Sequence, residues 1–301
     1  MCRQVLLCKF VVATILLIGH GAVVGQERDT RMTDLVARVD ACNTAKVGES
    51  VSEKQERLLG LDRLAKEVEK ECRTSDPETY ARLTVRICGA LHGVDMIDSR
   101  RHYIAQHYAM TALEKRADIS LDVQCSLVQY VTRNVDAQGQ ALKGDDLAKL
   151  RQQQAVLWLD TWKRIEATID KDWNPTDMPT LNVLPPEEAE LPSGADPAMI
   201  TDPKLRAQYV ADIEANQRKA AEYSIQLKAR RLQKSWIPDA KRFLIRTYME
   251  SPDKTDELRA LLEEYVPNAA DRKQILDAVK NKRMPEDLVF KNTTQPARQD
   301  R

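Results

Sequence analysis

Apolar residues recur every three or four positions through most of the chain, a spacing that predicts helices rather than strands. The clearest stripe comprises Leu58, Leu61, Leu64, Ala65 and Val68, and it predicts a helix that ends near Cys72. Asp76-Pro77 follows as a helix start, because Asp can cap the first turn and Pro at the first helical position loses no needed hydrogen bond.

Four further helices are predicted in this half of the chain. A short one lies around residues 35–39, one begins at Asp98 or Ser99, one covers 123–133 and a long one runs over about 146–170. We expect the third helix of the half to end or bend at Gly89 and Gly93. The apolar side chains expected to face inward on the later helices are Tyr103, Ile104, Tyr108, Leu113, Val123, Leu127, Val128, Val131, Leu150, Trp158, Leu159, Trp162, Ile165 and Ile169. We interpret residues 26–172 as an N-terminal helical domain, either a multi-helix bundle or a short α-solenoid.

A change of composition follows this domain. Seven of the 13 prolines lie between Asn174 and Pro203, and proline at this density interrupts helices and favours extended chain. Residues 173–203 are therefore predicted to be a linker or an extended strap packed along one of the domains. The apolar residues within the segment favour the strap: Leu181, Val183, Leu184 and Leu191.

The C-terminal part begins with Asp202-Pro203, the same start signal as at 76–77. A helix of about 30 residues is predicted after it, since apolar or aromatic positions return at three- and four-residue steps from Leu205 to Leu227. Further Pro-acid or Pro-amide pairs are predicted to end one helix and cap the next, at 238–239, 252–253, 267–268 and 285–286. We interpret residues 204–285 as a smaller C-terminal helical domain and the polar residues 286–301 as a disordered tail. The fold class predicted for the whole chain is all-α.

The N-terminus has the three parts of a secretory signal peptide. Arg3 and Lys9 are basic, residues 10–18 are apolar, and Val23-Val24-Gly25 provides a cleavage site before polar Gln26. The apolar run is shorter than the roughly 20 residues of a membrane span. We predict a signal peptide at 1–25 and a secreted or periplasmic protein without a membrane span after cleavage. An uncleaved N-terminal anchor is the alternative.

The charge balance argues against a nucleic-acid partner. The chain has 46 basic and 46 acidic residues, and removal of Arg3 and Lys9 leaves 44 basic residues and a net charge of −2. Nucleic-acid binding depends on an excess of positive charge that neutralises phosphates. We therefore expect another protein or an envelope component as the partner.

Four cysteines remain after residue 25: Cys42, Cys72, Cys88 and Cys125. An even number of cysteines in an exported chain indicates two disulfides, and three pairings are possible. Buried thiols are the alternative, since cysteine is among the most buried residues.

Two groups of residues are candidate sites. His92, Asp95, Asp98 and His102 would share one face of a continuous helix, where imidazoles and carboxylates could hold zinc or another divalent metal. Gly93 weakens that helix, and a capped helix junction is the alternative interpretation. The second group is a basic run that could meet an anionic partner such as an envelope surface: Lys228, Arg230, Arg231, Lys234, Lys241, Arg242 and Arg246.

The sequence contains none of the common catalytic or nucleotide-binding motifs. GxxxxGK[ST], the Gly-rich dinucleotide turn, GxSxG and HExxH are all absent. We therefore expect a non-enzymatic scaffold or interaction protein of the periplasm or cell exterior, without a cofactor. The alternatives are a metal-binding protein or metal-dependent hydrolase using the His/Asp cluster at 92–102, and an envelope-surface binder using the basic run.

Overall fold

The computed structural model describes residues 33–41, 49–94, 100–132, 145–176, 178–180, 183–189, 191–192 and 194–289. Within these ranges the protein is all-α and contains no strand, which confirms the predicted fold class. The chain divides into two compact units, Met1–Leu142 and Lys143–Arg301. The finer choice between a bundle and a short solenoid stays a prediction, and the predicted signal peptide lies outside the described residues.

The first unit contains five α-helices among its described residues: α1 (33–41), α2 (Val51–Cys72), α3 (Pro77–Gly93), α4 (Arg100–Leu113) and α5 (Leu121–Thr132). Local side-chain chemistry sets the helix starts. Ser50 and Glu53 form a reciprocal capping box at α2, and Asp76 accepts from the Thr79 N–H at α3 with Pro77 in the first turn. Helix α3 packs against α2, α4 and α5 and therefore lies at the centre of the unit.

The predicted apolar stripes form the core of this unit. Leu58, Leu61, Leu64, Ala65 and Val68 of α2 are buried, as are Tyr108 and Leu113 of α4. Tyr103 was expected to face inward, but it is 38% exposed. Residue 103 falls on the opposite side of α4 from Ala105 and Ala109, which are the residues that contact the core.

The prediction of two disulfides is wrong for every cysteine that the structure describes. Cys72, Cys88 and Cys125 are buried thiols on α2, α3 and α5, and Cys42 lies outside the described residues. The Cys88 thiol donates to the Ala105 carbonyl oxygen at 3.4 Å, and burial raises the pKa of this thiol. These cysteines therefore act as small apolar side chains in the core.

The second unit contains α6 (Asp145–Thr168), α7 (Pro203–Met249), α8 (Thr255–Tyr265) and α9 (Ala269–Lys280). Helix α6 packs along α7 and also meets α8. The boundary in the structure thus differs from the predicted one: α6, placed by sequence in the N-terminal domain, belongs to the second unit, and residues 173–203 lie inside that unit. Trp158 and Trp162 of α6 are buried, as predicted.

Helix α7 is longer than the sequence predicts. Pro238 was expected to end a helix, but it lies inside a continuous 47-residue helix. A proline in a helix interior costs about 3 kcal/mol. The burial of Trp236, Ala240, Leu244 and Ile245 on both sides of Pro238 offsets this cost, because ending the helix there would expose them.

The proline-rich segment is held against α7. Four α7 side chains at seven-residue spacing donate to backbone carbonyl oxygens, three of them within the segment and the fourth, from Arg230, at Asp170 just before it. Seven residues are nearly two helical turns, so the four share one face. The described residues of the segment run antiparallel to α7, and we call residues 173–200 the strap. The hydrogen bonds are Tyr209 Oη to Val183 O (3.2 Å), Asn216 Nδ2 to Thr180 O (2.9 Å), Tyr223 Oη to Pro175 O (3.1 Å) and Arg230 Nη2 to Asp170 O (2.8 Å).

The predicted disordered tail begins with an ordered turn. Glu286–Leu288 forms one turn of 3-10 helix, and Leu288 is buried. Gln274 of α9 donates to the Asp287 carboxylate at 3.2 Å. Tail residues from 290 onward lie outside the described residues. Among the helices of the described ranges, none combines the length and the apolar character needed to cross a bilayer.

Candidate functional site

The structure brings the two predicted histidines together at the junction of α3 and α4. The ring centroids of His92 and His102 are 5.2 Å apart and the rings are tilted by 45°. Asp95 and Asp98 of the predicted cluster lie outside the described residues. The junction therefore supplies two imidazoles of the predicted set.

Tyr130 of α5 completes this cluster, and sequence reasoning missed it. Its ring stacks on His92, with centroids 5.2 Å apart and an interplanar angle of 21°. A Cβ at Gly89 would lie 3.2 Å from the Tyr130 hydroxyl, so glycine at this position leaves room for the tyrosine. In the sequence, Gly89 on the same helix as His92 is the signal that another side chain approaches this face closely.

The environment of His102 favours the neutral imidazole. Burial lowers the pKa of His102, and the positive charge of Arg101 lowers it further. Arg101 Nε donates to His102 Nε2 at 3.4 Å, a bond that the protonated ring could not accept. Neutral imidazole is also the form that binds metals. Within the described ranges, however, no group of three or more His, Cys, Asp or Glu side chains is placed to hold a metal ion, so the metal site stays a prediction.

We expect the stability of the first unit to fall as the pH drops below about 6.5 because His102 must gain a proton. The unfolded imidazole has a pKa of about 6.5, and the folded value is lower. The unfolded state therefore binds the proton first, so this contribution to stability is complete above pH 6.5 and is lost as the pH falls toward the folded pKa. Urea unfolding at pH 5, 6 and 7 should show a smaller loss of stability in His102→Gln than in the wild type.

His107→Gln provides the control for that measurement. His107 lies on the same helix but is exposed, so His107→Gln makes the same substitution away from the junction of α3 and α4. Equal slopes for the wild type and His102→Gln would contradict the assignment to His102.

Three of the seven residues in the predicted basic run have structural roles. Arg230 donates to the Asp170 carbonyl oxygen and lies over the Trp173 ring, 5.1 Å from its centroid. Lys241 pairs with Asp271 at 2.7 Å, and Arg242 pairs with Asp239. The exposed members are Lys228, Arg231, Lys234 and Arg246. Binding of an anionic partner to the basic run stays a prediction, and the four exposed cations are the residues that support it.

The part of α7 that contacts the strap is the other distinctive surface. From Val210 to Lys228 no residue of α7 is buried, although all of them are helical. Apolar side chains nevertheless occur there: Ile225 is 53% exposed, and Met178, Leu184 and Met199 of the strap are exposed to a similar or greater extent. We call the strap together with residues 203–230 of α7 the braced segment.

Comparison with protein-family models, with curated proteins and with solved structures finds no match to the chain. The braced segment, the imidazole pair and the charge distribution of the second unit are therefore the observations on which a function can be proposed.

Proposed function

We propose that this chain is an exported, non-enzymatic helical protein that binds another protein or an envelope component through the braced segment. The observation that carries this proposal is the long unburied stretch of α7. Nineteen residues of helix span about 28 Å, and helices with so little tertiary burial are marginal in water. The strap supplies the stabilising contacts, so the surface is held in a fixed form before any partner arrives.

The side chains on the braced segment support a binding role. Leu184 is 70% exposed and Met178 is 65% exposed. Methionine and other large apolar side chains are enriched where proteins meet one another. A surface that is held rigid before binding loses little conformational entropy on association. The segment thus combines apolar contact groups with a fixed backbone.

The hydrogen bonds between the strap and α7 give this surface its specific register. Asn216 Oδ1 accepts from both the backbone N–H and the hydroxyl of Thr180, at 3.2 and 3.0 Å, while its Nδ2 donates to the Thr180 carbonyl oxygen. Gln226 similarly joins the end of α6 to α7 through the Thr168 carbonyl and the Asp170 N–H. A strap sliding along α7 would break the three hydrogen bonds between Asn216 and Thr180, and these bonds set the positions of its exposed side chains.

Export rests on the sequence of residues 1–25, with its basic, apolar and cleavage regions. We propose a secreted or periplasmic location on that ground. N-terminal sequencing of the protein recovered outside the cytoplasm should begin at Gln26. Recovery with an intact residue 1 would favour the anchored alternative.

A photoreactive residue at Ile225 tests the proposed surface in the source cell. We expect irradiation to give a discrete adduct with a partner from Ile225 and also from Met199. Leu59 of α2 is the matched control, because it is apolar and 60% exposed but lies in the first unit. No adduct at 225 and 199, or the same adducts at residue 59, would overturn the proposed surface.

Metal binding is the second candidate, and the close approach of His92 and His102 is the observation that favours it. Two imidazoles supply half of a tetrahedral zinc site. Stoichiometric zinc in the purified protein, lost in His102→Ala, would establish this alternative.

A further inference from the structure

A basic groove lies between α8 and α9, and sequence analysis did not single it out. It has a volume of about 630 Å³, which is within the range of ligand sites. Five cations line it against one acid, although the chain as a whole has no net charge. The charged lining residues are Arg259, Arg272, Lys273, Lys280, Lys282 and Asp277.

Most of this positive charge is not neutralised inside the protein. Arg259 pairs with Asp256 at 2.9 Å, while Arg272 donates to the carbonyl oxygens of Val266 and Pro267, which leaves its charge uncompensated. Within the described part of the chain, no ion pair involves the three lysines of the groove. These lysines are all exposed: Lys273, Lys280 and Lys282. The groove therefore presents an excess of positive charge to a ligand.

Lys282 occupies a backbone position that usually belongs to glycine. Its φ is +48°, and it directly follows the last turn of α9. The Lys282 N–H donates to Val279 O and the Arg283 N–H donates to Ala278 O, which closes the helix. A left-handed conformation disfavours a side chain, so a lysine here places a cation at the groove despite a local backbone cost.

Apolar side chains also line the groove. Leu276 is half-buried and Val279 is buried, and both line the groove. A ligand that fits must therefore bring an apolar group to Leu276 and anionic groups to the surrounding lysines. Simple anions meet only the second requirement.

The spacing of the cations favours an extended ligand. Lys273 and Lys280 are seven residues apart on α9, which is about 10 Å along the helix axis, and Leu276 lies between them. An extended ligand can pair with both lysines and still contact Leu276, whereas a single phosphate brings no apolar group to Leu276. A bilayer surface would require apolar side chains that protrude, whereas Leu276 is half-buried and Val279 is buried.

We propose that the α8–α9 groove binds an acidic peptide segment of a partner protein. In this arrangement an apolar side chain of the peptide rests on Leu276, and carboxylates on either side of it pair with Lys273 and Lys280. Charge complementarity of this kind steers association and selects acidic partners. The proposal does not depend on the braced segment, because the two surfaces have no residue in common.

A library of random 15-residue peptides, selected on the purified full-length chain, tests the groove. We expect enriched peptides with Asp or Glu on both sides of an apolar residue. Lys273→Glu/Lys280→Glu should weaken binding of the best peptide on the order of ten-fold or more at low salt. Lys149→Glu/Lys171→Glu is the control, since it makes the same change of charge at exposed residues of the second unit that lie outside both the groove and the braced segment. Circular dichroism of each variant verifies that it is folded.

Several outcomes would overturn the proposal. One is enrichment of peptides without acidic residues, and another is an equal loss of binding in both variants. A third outcome is that no acidic peptide binds, while inorganic phosphate or vesicles containing phosphatidylglycerol bind saturably. That binding would have to depend on Lys273 and Lys280. If the selection yields no acidic peptide while crosslinking from Ile225 persists, the proposed peptide site is wrong and the proposed function stands.

Discussion

Replacing Trp236 by alanine should destabilise the second unit by about 3–5 kcal/mol, the usual range for removing a buried tryptophan. Trp236 is 2% exposed, and its ring stacks on that of Trp158 with centroids 4.1 Å apart. Trp158 also stacks on Phe243 at 5.4 Å, so the three rings form one layer between α6 and α7. Removal of the Trp236 ring leaves a cavity beside Trp158 that two long helices cannot close.

Urea unfolding followed by circular dichroism at 222 nm measures this effect without depending on tryptophan fluorescence. The two units should be treated as separate transitions, and that of the first unit should not move. Trp236→Phe is the matched variant, because it keeps a stacked ring and removes an indole N–H that is buried without a hydrogen-bond partner among the described residues. We expect it to lose clearly less stability than the alanine variant. A loss below about 1 kcal/mol in Trp236→Ala would contradict the role of this layer.

The elements that sequence predicted well are those determined by local chemistry. Helices α3 and α7 begin at the predicted residues whose side chains cap them, Asp76 and Asp202, and a cap needs only its own first turn. The buried stripe of α2 was also predictable, because the 3.6-residue period identifies the buried face. His92 and His102 do lie close together, but they lie on α3 and α4 rather than on one continuous helix, because α3 ends at Gly93.

The failures share a different cause, which is packing between residues distant in sequence. Pro238 lies inside α7 because the residues around it are buried against other helices, and no local signal overrides a proline. The pattern of α6 showed that it has a buried face but could not identify α7 as the helix that covers it. Tyr130 reaches His92 across 38 residues of sequence for the same reason. The basic groove was missed because its cations come from two helices and a turn, and only the fold brings them together.

The second large effect is expected at Tyr209, where alanine should release the strap from the N-terminal part of α7. Tyr209 is 1% exposed, and it is the only buried residue of α7 before Ala229. Its hydroxyl donates to the Val183 carbonyl oxygen at 3.2 Å. Truncation removes both the buried ring and this bond, with a local cost of about 3 kcal/mol by analogy with other buried aromatic residues.

The loss in Tyr209→Ala should be local, because no other core residue is present in that part of α7 to hold the helix. Hydrogen exchange should show faster exchange over residues 203–228, while residues 236–248 around the aromatic layer keep their protection. Tyr209→Phe keeps the ring and removes only the hydroxyl, so we expect a loss of about 1 kcal/mol. Unchanged exchange in Tyr209→Ala would show that the helix does not need the strap. If the braced segment is the binding surface, the crosslinks from Ile225 should disappear in Tyr209→Ala and persist in Tyr209→Phe, which links the stability of this helix directly to the proposed function.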